Sequence, residues 1–181
     1  MFDTKKFFES KRIIVVGCPG SGKTTLSNKL GRILKIDVFH LDSFFWTSGW
    51  VKVSKEERIK ILRRIIDKCC WILDGNYSDT IDIELEATEV VIVLDFPRHI
   101  CYWRVVKRRF AFLGKSPPEV APGCPDKIDW GFLKSIWQYP SVDGKDLREK
   151  IYRRSSNLMA IILRNPSEVA HFISEVEGYY Q

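Results

Sequence analysis

Residues 12–26 read RIIVVGCPGSGKTTL, and the fold follows from this stretch. Its first part, Ile13-Ile14-Val15-Val16, is a β-branched run that stops at Gly17, the pattern of a strand buried on both faces. Its second part, Gly17-Cys18-Pro19-Gly20-Ser21-Gly22-Lys23-Thr24, matches G-x-x-x-x-G-K-[ST] in full. Its third part opens a helix from Lys23 to Leu34, with Leu26, Leu30 and Leu34 four residues apart on one face. Strand, glycine-rich loop and helix in that order form a phosphate-binding loop. The loop turns backbone N–H groups toward phosphates, and the helix adds the positive end of its dipole. Gly17, Cys18, Pro19, Gly20, Ser21, Gly22, Lys23, Thr24 and the following Thr25 are therefore expected to hold the phosphates of ATP. Lys23 is expected to reach the β- and γ-phosphates, and the Thr24 hydroxyl to ligate Mg²⁺.

Outward from the loop, four more apolar runs alternate with helical stretches. Strands are expected at Ile36–Phe39, Trp71–Asp74, Val90–Asp95 and Leu158–Leu163. Ser54 with Glu57 makes a capping box for a helix running to Lys68, and the Gly49 stretch before it reads as a loop. Further helices are expected at Ile81–Ala87, His99–Phe112, Ile128–Gln138 and Asp146–Arg154. Asn165, Pro166 and Glu168 supply an N-cap, an N1 proline and an N3 acid for a last helix ending near Gly178. Five strands alternating with helices predict a three-layer α/β/α fold with a five-stranded parallel sheet and right-handed crossovers. Between Leu113 and Asp129, Gly114, Pro117, Pro118, Pro122, Gly123 and Pro125 crowd together, so a mobile lid is expected at about 110–130 of a single domain.

Composition narrows the class. With 181 residues, 45% hydrophobic and 29% charged, the chain has enough apolar material for one core, which excludes disordered, collagen-like and coiled-coil readings. The +6 net charge favours anionic partners such as nucleotides or nucleic acid. Apolar runs such as Val90–Leu94 are too short for a membrane span, and MFDTKKFFESKR lacks a signal-peptide core, so a cytoplasmic protein is expected. Five cysteines without C-x-x-C spacing fit reduced thiols; a thiol at Cys18, beside a helix N-terminus, is expected to have a lowered pKa.

The remaining motifs indicate a kinase. No guanine-reading N-K-x-D tetrapeptide occurs, whereas Leu73-Asp74-Gly75 followed by Asp95-x-Pro97 resembles the nucleoside-monophosphate kinase superfamily. That resemblance implies that Asp74 supports Mg²⁺ through water. Arg104, Arg108 and Arg109 fall at the spacings of arginines that adenylate-kinase-like enzymes carry on the helix entering their lid. They would stabilise the transferring phosphoryl group as the lid closes, Arg108 foremost. HLDSFF at 40–45 resembles the D-S-F-Y segment of uridine-kinase-like enzymes, which implies that Asp42 lies beside the acceptor hydroxyl as a base or orienting group; as a bare sequence feature it reads equally as a helix cap. Phe44, Phe45, Trp46 and Trp50 read either as core or as a stacking surface. The ordered set GCPGSGKTT, VFHLDSFFW, WILDGNYS, LDFPRHICYWRVVKRR, APGCPDKIDWGFLKSIWQYP and LRNPSEVAHF closely resembles the bacterial DNA topology modulation proteins over nearly the whole chain, a family related in fold to adenylate kinase. The expected activity is transfer of the ATP γ-phosphate to a small acceptor that the motifs do not identify, of nucleoside- or nucleotide-like character. The alternative is a nucleotide-dependent DNA-binding or regulatory protein, suggested by the basic run 104–109.

Overall fold

The computed structural model describes residues 4–112, 120–124, 129–156 and 158–179. The phosphate-loop strand, β1 (Arg12–Gly17), lies at the centre of a five-stranded sheet. A short helix α1 (Thr4–Glu9) precedes it, and α2 (Lys23–Leu34) follows the loop. The chain then runs to the sheet edge as β2 (Val38–His40), returns beside β1 as β5 (Trp71–Asp74), crosses to the other flank as β6 (Val90–Leu94) and ends at the far edge as β7 (Met159–Leu163). The order is β2-β5-β1-β6-β7, with every pair parallel. Strands buried on both faces need apolar side chains at consecutive positions, and alternation in β1 shows why. Ile13 and Val15 enter one core with Leu26, Leu30, Phe172 and Val176, while Ile14 and Val16 enter the other with Leu62, Ile65, Leu85 and Leu147.

The flanking helices are α4 (Lys55–Ile66), α5 (Ile81–Ala87), α6 (Arg98–Phe112), α7 (Trp130–Gln138), α8 (Asp143–Arg153) and α9 (Pro166–Gly178). Their caps match the sequence signals where a side chain can reach. The Ser54 hydroxyl accepts from the Glu57 N–H, and the Asn165 side chain accepts from the Glu168 N–H at 2.9 Å. The expected start of α7 at Ile128 lies outside the described residues; Asp129 caps the helix, its carboxylate accepting from the Phe132 N–H at 2.7 Å. A 3₁₀ turn at Tyr139–Ser141 lets α8 begin at Asp143 rather than Asp146.

Three elements differ from the sequence expectation. Residues 4–9 form a helix, held by Phe7, which is wholly buried against Phe172 at 5.4 Å between ring centroids. Leu41–Phe45 forms a one-turn helix α3, and the Gly49 stretch is a hairpin of β3 (Trp46–Thr47) and β4 (Val51–Lys52), not a loop. Its turn has positive φ at Gly49 (79°) and Trp50 (63°). The expected lid falls largely on residues 113–119 and 125–128, which lie outside the described residues. The described part, 120–124, packs on the hairpin: the Gly49 N–H donates to the Gly123 carbonyl at 2.9 Å, and the Cys124 thiol lies 3.1 Å from the Thr47 carbonyl. Among the described residues, no helix is long and apolar enough to cross a membrane.

Candidate functional site

Parallel strands all present their carboxyl ends to one edge of the sheet, and here that edge bounds a cleft of about 1210 Å³. Strand order sets the layout along the cleft. Asp42 follows β2, Asp74 ends β5 and Gly75 to Ser78 follow it, the phosphate loop follows β1, Phe96 and α6 follow β6, and Pro166 follows β7. The register makes His40 and Asp74 partners on neighbouring strands.

The phosphate loop is held open by glycines that no other residue would replace. Gly20 and Gly22 have φ of 83° and 100°, and a Cβ on Gly20 would come within 2.5 Å of the Cys101 carbonyl oxygen. The Lys23 ammonium donates to the Gly17 and Cys18 carbonyls at 3.0 and 3.3 Å, which arches its side chain back over the loop. Ser21 Oγ is buried without a hydrogen-bond partner among the described residues. Gly17, Pro19, Gly20, Ser21, Gly22, Lys23, Thr24 and Thr25 all line the cleft. Cys18 does not. Its sulfur is buried, 3.8 Å from the Ile136 carbonyl oxygen, and its contact with Cys101, together with burial, pushes the thiol up. The expected lowered pKa is therefore corrected: the side chain turns into the core, away from the dipole end of α2.

Asp74 is buried at the end of β5, and its Oδ2 lies 2.9 Å from His40 Nδ1, while His40 Nε2 lies 3.2 Å from the Asn28 amide oxygen. His40 thus joins the Asp74 carboxylate to α2, one turn beyond Thr24. Thr24 and Asp74 both line the cleft, giving one hydroxyl and one carboxylate, the hard oxygen donors that Mg²⁺ takes when phosphate and water complete its shell. The residues present fit that ion.

The α6 arginines separate by face. Arg104 and Arg108, one turn apart, line the cleft, and Arg104 donates to the Ser21 carbonyl at 2.9 Å while its guanidinium lies 5.2 Å from the centre of the Phe96 ring. Arg109 is not among the cleft-lining residues, and its Nη1 is buried without a hydrogen-bond partner among the described residues. A helix turns 100° per residue, so adjacent arginines cannot share one target.

The β2 end of the cleft is built from α3, the hairpin and the segment after β5. Trp46, Trp50, Asn76 and Tyr77 line it with Asp42. The Tyr77 hydroxyl donates to Asp42 Oδ1 and accepts from Trp46 Nε1 at 2.7 Å. Burial, then the Asp42 charge, push the Tyr77 phenol up, so it stays a donor. Phe45 is core and Phe44 packs on Phe39 instead, so of the four aromatics only Trp46 and Trp50 line the cleft. Several partners have no local sequence signal. Asn76 donates to the Tyr139 hydroxyl at 3.0 Å, and Arg58 is buried against Asp79 and the Val53 carbonyl. At the β7 end, Phe132, Ser135, Pro166 and Val169 make a largely apolar wall.

Solved structures with this architecture include the shikimate kinase from Acinetobacter baumannii in complex with shikimate. It is 15% identical, has a TM-score of 0.61, and the match covers 98% of this chain and 97% of that one. A second, the shikimate kinase from Bacteroides thetaiotaomicron, is 13% identical with a TM-score of 0.51, covering 94% and 98%. These likenesses show the three-layer fold with its five-stranded parallel sheet. Among curated proteins, none matches the chain by sequence. A family model described as an AAA domain matches residues 13–120, from the phosphate-loop strand through α6 and into the segment after it. The match covers more than half of the chain, which therefore belongs to this AAA domain family of P-loop nucleotide-binding proteins.

Proposed function

We propose that this chain is an ATP-dependent phosphotransferase of the cytoplasm that moves the γ-phosphoryl group to a small acceptor, a nucleoside or a nucleotide. The observation that carries the reading is the second built wall. A protein that only binds or hydrolyses ATP has no need of a carboxylate fastened by Tyr77 and flanked by two tryptophans, two strands away from its phosphate loop. The resemblance of the ordered motifs to adenylate-kinase-related topology modulation proteins agrees with this reading.

The parts divide by position. The apolar wall at the β7 end takes the donor nucleoside, and the loop N–H groups with Lys23 take its phosphates. Mg²⁺, held through Thr24 and Asp74, neutralises charge on those phosphates when bound. Arg104 and Arg108 add positive charge near the transferring group. Asp42 orients the acceptor and takes its hydroxyl proton where the acceptor is an alcohol. Catalysis is mostly positioning and electrostatics, since phosphoryl transfer needs no covalent enzyme intermediate. Arg104 and Arg108 face the cleft, which leaves the basic run 104–109 fewer cations for a DNA backbone.

The test is ADP formation from Mg-ATP across nucleosides, nucleoside monophosphates and small hydroxylated metabolites, with Lys23→Ala as the blank. Acceptor-stimulated turnover lost in the variant is the expected result. Equal turnover with and without acceptor would make the protein an ATPase instead.

A further inference from the structure

The acceptor wall has a charge character that phosphotransfer alone does not require. Binding a phosphate or carboxylate acceptor calls for a cation at the β2 end of the cleft, and among the described residues two candidates stand near it, Arg58 and Lys52. Both are already committed. Arg58 is 4% exposed, with its guanidinium on the Asp79 carboxylate and the Val53 carbonyl. Lys52 is 3.7 Å from the same carboxylate, and its ammonium lies 5.5 Å from the centre of the Tyr77 ring. Neither lines the cleft. The cations that do line it, among the described residues, belong elsewhere along the sheet edge. Lys23 is in the phosphate loop, Lys29 on α2 is paired with Glu177 at 3.0 Å, and Arg104 and Arg108 come from α6 beyond β6. What the β2 end presents is Asp42, Asp74, two indole rings set edge-on at 5.5 Å, a phenol and an amide. Asp74 is held by His40 at 2.9 Å, so Asp42 is the carboxylate that meets the acceptor, and with no cation lining the cleft beside it among the described residues it repels an anion and leaves a neutral ring unopposed.

We infer that the acceptor is an uncharged, ring-bearing alcohol of the nucleoside class, and that the site rejects phosphorylated and carboxylate acceptors. This rests on the phosphotransferase reading above and narrows it. The ring lies against Trp46 and Trp50, and its hydroxyl donates to Asp42. As the hydroxyl oxygen bonds to the γ-phosphorus, the bond from that phosphorus to the β–γ bridging oxygen breaks, ADP leaves with the electron pair, and the hydroxyl proton passes to Asp42. Tyr77 fills Oδ1 from behind and keeps the carboxylate turned toward the cleft. A phosphate acceptor is already ionised and has no proton for Asp42 to take, so that residue would only repel it.

The test uses the full chain with Mg-ATP. ADP formation is measured with the common ribonucleosides and deoxyribonucleosides, with their 5′-monophosphates and with shikimate, while ATP binding is followed separately by calorimetry. At least one nucleoside is expected to exceed its own monophosphate and shikimate by about 10-fold or more in kcat/KM, a modest specificity ratio for a charge mismatch. Asp42→Asn is expected to lower kcat by about 100-fold with little change in KM for that nucleoside, the usual size of a general-base loss. Trp50→Asn, chosen because asparagine tolerates the left-handed backbone there, is expected to raise that KM by about 10-fold and leave ATP affinity unchanged. Lys23-dependent turnover that prefers a monophosphate or shikimate overturns this inference and leaves the phosphotransferase reading standing. ATP binding with no acceptor-dependent turnover overturns both.

Discussion

Lys23 and Tyr77 differ in what their loss would remove. In the proposed function Lys23 supplies a charge to the phosphates, so Lys23→Ala is expected to weaken ATP binding by about 10- to 100-fold, the size of a lost charged hydrogen bond or two, as calorimetry would read it. Tyr77 touches Asp42 and Trp46, not the phosphate loop. Tyr77→Phe frees Asp42 to rotate and strips Trp46 Nε1 of its acceptor, and it is expected to lower kcat by about 10-fold, in line with a net loss near 1 kcal/mol. ATP affinity should stay the same, and a parallel fall in both quantities would place Tyr77 in the fold rather than in the acceptor site. At this scale the proposed donor half of the site was legible, because its loop is eight consecutive residues. In the proposed acceptor half the residue types were legible but their pairings were not, because Tyr77 meets Asp42 across 35 residues and Asn76 meets Tyr139 across 63.

Among the elements, the β3–β4 hairpin and the segment 120–124 act on each other. Gly123 has φ of 78°, and a Cβ there would fall 2.3 Å from Ser48 Oγ and 2.9 Å from Ser48 Cβ. Gly123→Ala therefore forces the two pieces apart or strains the backbone. Because Trp46 and Trp50 ride on the hairpin, a two-stranded sheet separate from the one that carries the phosphate loop, the expected effect is a higher KM for the acceptor with an unchanged ATP dissociation constant. Steady-state kinetics at saturating ATP would measure it. The hairpin escaped a sequence reading because its strands have only two residues each, too few for alternation to appear, and it is secured by residues some 75 positions later. Helix α1 escaped for the same reason, since six residues with one buried ring hold together only against α9.

For the molecule as a whole, Glu84 couples folding to pH. It is 1% exposed on α5, accepts from the Thr80 hydroxyl at 2.7 Å, and burial raises its carboxyl from 4.5 to about 7. The folded chain therefore keeps this proton to higher pH than the unfolded chain. Between those two values the folded state binds more protons, so stability falls as pH rises through about 4.5 to 7 and stays lowered above. The full effect is on the order of 3 kcal/mol. Glu84→Gln keeps the acceptor for Thr80 and removes the charge, so it should stabilise the protein at about pH 8 and change little at about pH 5, as urea unfolding at the two pH values would show.

The sequence alone determined the parallel sheet and the glycine-rich loop at its centre, whose residues are the ones proposed to hold a nucleotide's phosphates. Each of these depends on neighbours within one short window: consecutive β-branched residues, glycines at positive φ, and leucines at helical spacing. Tertiary structure decided which of the neighbouring charges could act. Packing of α6 on the loop aims Arg104 and Arg108 into the cleft and leaves Arg109 off its lining; burial turns the Cys18 thiol inward; Asp79 takes up Arg58. Those outcomes rest on contacts between residues far apart in the chain, where desolvation and pairing, not local periodicity, select the partner.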